Sequence, residues 1–366
     1  MLVRILFAVT VMIVVMIGPN AANDSTKDKW NFENGTCVPN LNETVHKGFG
    51  FSAETVEFFN SCDGITLYSV IFGGFDGPDI FPPKFAYQKK GVCLVIIIDE
   101  VTLKVWSNQN VWPDRLPGIS LKRNEVVVKQ PFISAADEAW RHGWYLAVAH
   151  KLPLNDDRTN SRIPKMLPHI VFPNTKYSIF FDGKLRLHHL TGNSMKDPVT
   201  LVHSMLIEQN VNMAIPQHPQ RATIALEADI VQKMFPQYVK MVSLQKAAYI
   251  EDGYDIENLQ RTPIALNAPF RTLSHLPDSK FIIRHHHPSI NFHGCLWLNE
   301  IIRFQPRDQL SFGYVTFKMD PRPRISMFPA HYLFRLFEQK PHLDPTTKQK
   351  KKQNAKLKLH FRHYLL

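Results

Sequence analysis

The run Tyr177–Phe181, YSIFF, passes without interruption into Asp182-Gly183-Lys184. A short apolar run of this kind is a buried strand. A carboxylate at its carboxyl end, followed by glycine and lysine, stands where open α/β sheets place ligand chemistry. In isolation the triplet would also describe a plain surface turn. The residues upstream change that balance. Asp156, Asp157, Arg158, Arg162 and Lys165 bring five further charges to the flank of the same strand. Between them and the strand, the sequence predicts a short helix near residues 164–172 and a turn at Pro173-Asn174.

Other apolar runs extend the pattern. Val92–Ile98 is uninterrupted, as expected of a strand covered on both faces, and delivers Asp99-Glu100. Ile65–Phe72 ends in GGFDGP, a glycine-rich turn containing Asp76. That turn departs from the dinucleotide fingerprint, yet backbone amides in such a turn can approach a nucleotide. Residues 144–150, 212–215 and 281–283 read as further strands. Residues 198–209, 222–233 and 291–304 read as helices, and 236–262 as helical with a break at Gly253. Strands alternating with helices predict an α/β fold with a mostly parallel central sheet.

The hydrophobic fraction of 44% suits one large core or two modest ones. The formal net charge is +11, but residues 340–366 hold eight Lys/Arg against one Asp. Basicity confined to a tail argues against a nucleic-acid-binding core. Ile5–Ile17 is uncharged and mainly apolar, which predicts either a cleaved signal peptide or a signal anchor over 1–22, the latter giving membrane association. The sequons at Asn23, Asn34 and Asn42 follow at once, so 23–61 reads as a glycosylated stem, 62–319 as the domain, and 320–366 as a Pro/Lys-rich tail. These features predict the secretory pathway, with the Golgi lumen or membrane as the expected compartment. Four cysteines allow three pairings, with Cys37–Cys62 preferred because it would tie the stem to the first strand.

The blocks LYSVIFGGFD (67–76), VCLVIIIDE (92–100), LPLNDDR (152–158), the segment 161–185 and CLWLNEIIRFQPRDQLSF (295–312) occur together in this order. In this the chain resembles the glycosyltransferase-like domain of the plant turgor-regulation-defect and mucilage-related proteins. The resemblance implies a single A-type-like glycosyltransferase domain using a nucleotide-sugar donor and a glycan or glycolipid acceptor. Family labels divide between glycosyl transfer and ceramide hydrolysis. No GxSxG or HExxH supports a hydrolase, and a non-catalytic lectin or scaffold is the third reading.

Sugar transfer needs a neutralised diphosphate, a held sugar and a base. Arg158, Arg162, Lys165, Lys184 and Arg307 are candidate donor-binding cations, with Asp76, Asp99 and Asp182 as donor-binding acids. Many A-type transferases carry Asp-x-Asp at this strand end to hold Mn²⁺ or Mg²⁺. Here Lys184 replaces the second acid, which puts metal dependence in question. Three histidines, 285–287, suggest that His286 could join Asp182 on an ion. The resemblance points to Asp308 as the base, with Glu227 second and Arg307 keeping Asp308 ionised.

Overall fold

A computed structural model describes residues 41–77, 90–108, 119–122, 125–128, 144–187, 197–258 and 274–339. The expected signal segment, the sequons at Asn23 and Asn34, Cys37 and the lysine-rich end all lie outside these residues.

Helices α1 (Leu41–Phe49) and α2 (Ala53–Ser61) lead into strand β1 (Ile65–Ile71). Strand β2 (Val92–Asp99) runs straight into α3 (Glu100–Asn108), followed by the hairpin strands β3 (Ile119–Lys122) and β4 (Glu125–Val128). Next come β5 (Tyr145–Ala149), α4 (Asp157–Met166), α5 (Pro168–Val171), β6 (Tyr177–Phe181) and β7 (Leu185–Leu187). Helix α6 (Pro198–Val202) widens into a π-turn over His203–Ile207, and β8 (Met213–Pro216), α7 (Ile224–Met234) and α8 (Val239–Glu251) follow. The last elements are β9 (Phe281–His285), α9 (Pro288–Arg303), α10 (Gln309–Lys318), β10 (Ile325–Phe328), α11 (Leu333–Leu336) and β11 (Phe337–Gln339).

Seven strands form the central sheet in the order β10-β8-β9-β6-β1-β2-β5. β1 is parallel to β2 and β6, β2 to β5, and β10 to β8. β9 alone opposes its neighbours β6 and β8. The sheet is thus mostly parallel, as the alternating pattern predicts.

Both faces are covered, which is why the central strands read as unbroken apolar runs. Along β1 and β2 the residues alternate strictly. Tyr68, Val70, Val95 and Ile97 enter one core with Phe58 and Phe59 of α2, Met166 of α4 and Trp297 of α9. Leu67, Ile71, Leu94, Ile96 and Ile98 enter the other with Trp106 of α3 and Leu201 of α6. A third cluster packs α7 and α8 on α10 through Val231, Val242, Tyr249 and Tyr314.

Three expectations about organisation change. Residues 41–61 are not stem: Phe49, Phe58 and Phe59 are buried in the first core, so this segment belongs to the domain. The domain also continues past 319, because β10 pairs with β8 inside the sheet and β11 pairs with β7. Finally, Cys62 is bonded to Cys93, not Cys37, with Cα atoms 5.9 Å apart. Cys62 lies just before β1 and Cys93 at the start of its parallel partner β2. Parallel pairing therefore brings the two together.

Candidate active site

The site forms at the carboxyl ends of the parallel strands, and α4 builds one wall. Asp156 caps that helix, accepting from the Thr159 amide at 2.7 Å. The preceding loop is clipped on by Asn160, which exchanges hydrogen bonds with the backbone of Leu154 at 3.0 and 2.7 Å. The helix ends at Met166, and its last carbonyls are satisfied from the sheet. The Tyr68 hydroxyl donates to Pro164 O, and Arg284 Nη1 donates to Lys165 O at 2.7 Å. Two strands thereby hold the end of α4 and with it Lys165.

Lys165 and Asp308 are both 1% exposed and form an ion pair through Nζ and Oδ2. Ser279 closes the triangle. Lys165 Nζ donates to its hydroxyl oxygen at 3.0 Å, and that hydroxyl donates to Asp308 Oδ1 at 2.9 Å. Arg162 Nε reaches Asp308 Oδ2 at 3.3 Å from one turn earlier on α4. Burial pushes the Lys165 ammonium down to about 8, with Asp308 opposing and Arg162 assisting. Burial would raise the Asp308 carboxyl, but Arg162, Lys165 and the Ser279 hydroxyl hold it far below the usual range.

These facts correct two assignments. Sealed from solvent and paired with Lys165 and Arg162, Asp308 is poorly placed to serve as the base. Arg162 and Lys165 do most to keep it ionised, and Arg307 adds to them. Lys165 is likewise out of reach of a donor. The pair is an electrostatic anchor that fixes α4 and Arg162 over the sheet edge.

Asp182 occupies the position expected of it, at the mouth of β6. Its amide donates to Lys280 O at 2.7 Å, and its Oδ1 accepts from the Lys184 amide at 3.3 Å. Burial raises its carboxyl, yet Lys184, Lys165 and Arg162 together outweigh this and keep it below the ordinary carboxylate value. Gly183 is required by space. An added Cβ would lie 2.7 Å from Ile71 Cγ1 and 2.9 Å from Asp76 Oδ2, so Asp76 stands beside the same turn. The Asp76 carbonyl also accepts from Trp106 Nε1 at 2.9 Å.

Asp99 has a structural task. Its Oδ2 accepts from the Gly73 amide at 3.0 Å and its Oδ1 from the Thr102 amide at 2.8 Å. Thr102 Oγ1 accepts in turn from the Gly74 amide at 2.9 Å. Gly73 and Gly74 both adopt positive φ, +73° and +68°, which suits glycine. Their amides therefore face Asp99 and Thr102 and not a nucleotide, contrary to the expectation for this turn. At 2% exposed, Asp99 pins the turn and does not reach a ligand.

Arg307 and Arg158 share the ring of Phe235, with guanidinium carbons 4.0 and 5.9 Å from its centroid. Burial and the neighbouring Arg158 lower the Arg307 value, with Glu227 and Asp308 opposing. Glu227 is paired with Arg221 through Oε2 and Nε, and Arg221 also meets His218 Nε2 at 2.8 Å. Burial raises the Glu227 carboxyl despite Arg221.

His286 does not belong to the site. Its amide donates to Lys176 O at 2.9 Å, at the opposite end of β6 from Asp182. Six residues of strand separate the two, roughly 20 Å at ~3.3 Å per residue. Its ring instead packs near His169, with centroids 6.4 Å apart. Among the described residues no three His, Cys, Asp or Glu side chains group as a metal site.

Ser279, Lys280, Arg284, His218 and Arg221 escape a reading of the sequence. Attention there falls on carboxyl ends of strands, whereas β9 runs the other way and presents its amino end, Asp278-Ser279-Lys280, beside Asp182. A serine and lysine just before an apolar run were the available signal.

Comparison with known proteins bears on this geometry. The family model described as TOD1/MUCI70, glycosyltransferase-like domain, matches residues 27–342. The chain is 28% identical over 301 residues to "Probable hexosyltransferase MUCI70" of Arabidopsis thaliana, covering 78% of the chain and 45% of that protein. It is 30% identical over 280 residues to "Alkaline ceramidase TOD1" of the same plant, covering 75% and 52%. The chain thus spans about half the length of these curated relatives. A crystal structure of mouse xyloside xylosyltransferase 1 in its apo form is similar at TM-score 0.37 and 9% identity, covering 72% of the chain and 85% of that structure. At that level the likeness adds nothing to the fold as described.

Proposed function

The chain belongs to the TOD1/MUCI70 glycosyltransferase-like family, and from that premise we propose that it moves a sugar from a nucleotide-sugar donor to a hydroxyl of a glycan or glycolipid in the secretory pathway. One observation carries the reading. A single acid, Asp182, closes a covered strand and is flanked by Lys184 and Arg162, with Arg162 held in place by the buried Lys165–Asp308 pair.

In the transfer, the acceptor oxygen forms a bond to the anomeric carbon as the bond from that carbon to the diphosphate oxygen breaks. Negative charge grows on the departing diphosphate. Fixed cations at that point stabilise the transition state more than the ground state, which is the condition for catalysis. Lys184, Arg162 and Arg307 take this role, and Asp182 accepts hydrogen bonds from the sugar hydroxyls. The proton released from the attacking hydroxyl passes to Glu227, whose burial raises its affinity for a proton, once the acceptor parts it from Arg221.

The test is nucleoside diphosphate release by the full chain from a panel of nucleotide sugars, with and without candidate acceptors. Asp182→Asn should lower turnover at least a hundredfold while the variant still folds and unfolds cooperatively. Absence of release and of binding across the panel would refute the reading. Ceramide turnover would replace it with the hydrolysis named for one relative.

A further inference from the structure

We propose that the site neutralises its departing diphosphate with side-chain cations alone and takes no divalent ion. The inference rests on the transferase reading above and deepens it.

The residues present do not suit Mn²⁺ or Mg²⁺. Hard dications want oxygen ligands and a negative site. The position two beyond Asp182 is Lys184, whose ammonium acts on the Asp182 carboxylate, as do Lys165 and Arg162. Three cations stand against Asp182, Asp308 and Asp76, so the pocket offers a dication no net negative charge. Four of the other acids are committed elsewhere. Asp308 holds Lys165 and Arg162, Glu227 holds Arg221, Asp278 holds Lys280 at 2.8 Å, and Asp99 accepts two backbone amides. Asp76 is the second carboxylate beside the Gly183 turn, and a dication placed between it and Asp182 would meet Lys184 and Arg162 directly.

The same surroundings suit an anion. Arg307 carries a buried Nε with no hydrogen-bond partner, and it stands among Arg158 and Arg162. Guanidinium groups bind phosphate oxygens through paired hydrogen bonds, and lysine adds a compact point charge. A diphosphate lying between Lys184 and the Arg162–Arg307 cluster would satisfy the orphaned Nε and balance the excess charge.

Calorimetric titration of the full chain with uridine diphosphate and guanosine diphosphate tests this, in EDTA and then in Mn²⁺. The nucleotide that binds should do so with less than threefold change between the two conditions. Lys184→Ala should weaken binding at least tenfold in EDTA. Lys184→Asp, which creates the Asp-x-Asp arrangement, should bind only when Mn²⁺ is present. A loss of threefold or more on moving the parent chain to EDTA, or parental binding by Lys184→Ala, overturns the inference and leaves the transferase reading intact. Failure of both nucleotides to bind in either condition overturns the inference, and the panel of nucleotide sugars decides the transferase reading separately.

Discussion

Asp308→Asn isolates the electrostatic anchor. The replacement keeps the shape but leaves Lys165 Nζ buried without its anion and removes the partner of Arg162 Nε. Removing one member of a buried pair typically costs about 3–5 kcal/mol, because the surviving charge stays desolvated. Arg162 keeps 20% of its side chain exposed and can turn to water, so Lys165 carries most of the loss. Its ammonium already sits near 8 where an unfolded lysine sits near 10.5, a difference worth about 3 kcal/mol at neutral pH. Without Asp308 the value falls further. The native state then binds fewer protons than the unfolded state over a wider range, so the variant's deficit relative to the parent must shrink as pH rises.

Urea unfolding at pH 6, 7.5 and 9 measures this, with an unchanged slope confirming comparable end states. The expected deficit is largest at pH 6 and smallest at pH 9. The double variant Lys165→Met/Asp308→Leu should recover most of it, since apolar replacements remove both buried charges. A deficit below about 1 kcal/mol at pH 6, or one independent of pH, would refute the anchor.

Other outcomes follow from the same structure. Burial holds His286 and His293 down to about 3, so the native state resists their protonation and stability falls as pH drops from about 6.5 toward 3. At pH 5 the two should together cost about 4 kcal/mol; a urea midpoint equal at pH 5 and 7.5 would contradict this. Gly183→Ala would drive a methyl against Ile71 and Asp76. Nucleotide affinity should fall at least tenfold, and parental affinity by titration would show that the turn has slack. Asp99→Ala unpins the Gly73–Gly74 turn and should destabilise the fold by about 1–3 kcal/mol for each orphaned amide. Nucleotide affinity at saturating fold stability should be unchanged, and loss of affinity without loss of stability would return Asp99 to the ligand.

The local features of this protein are written in its chain. YSIFF and VCLVIII read as covered strands, since an apolar run of that length has no wet face, and Asp182-Gly183-Lys184 follows where the first of them ends. The glycines at 73 and 74 announce a turn for the same local reason. Partners distant in sequence are a different matter. Lys165 meets Asp308 across 143 positions, and neither residue's surroundings reveal that burial turns two candidate functional groups into an anchor. Nor does a strand's sequence state its direction. Phe281–His285 reads the same either way, yet its antiparallel placement carries Ser279 and Lys280 to the site and His286 to the far end. Side-chain periodicity and steric limits act over a few residues and are legible there. Desolvation and charge pairing depend on what the folded sheet brings alongside, and only the assembled core decides that.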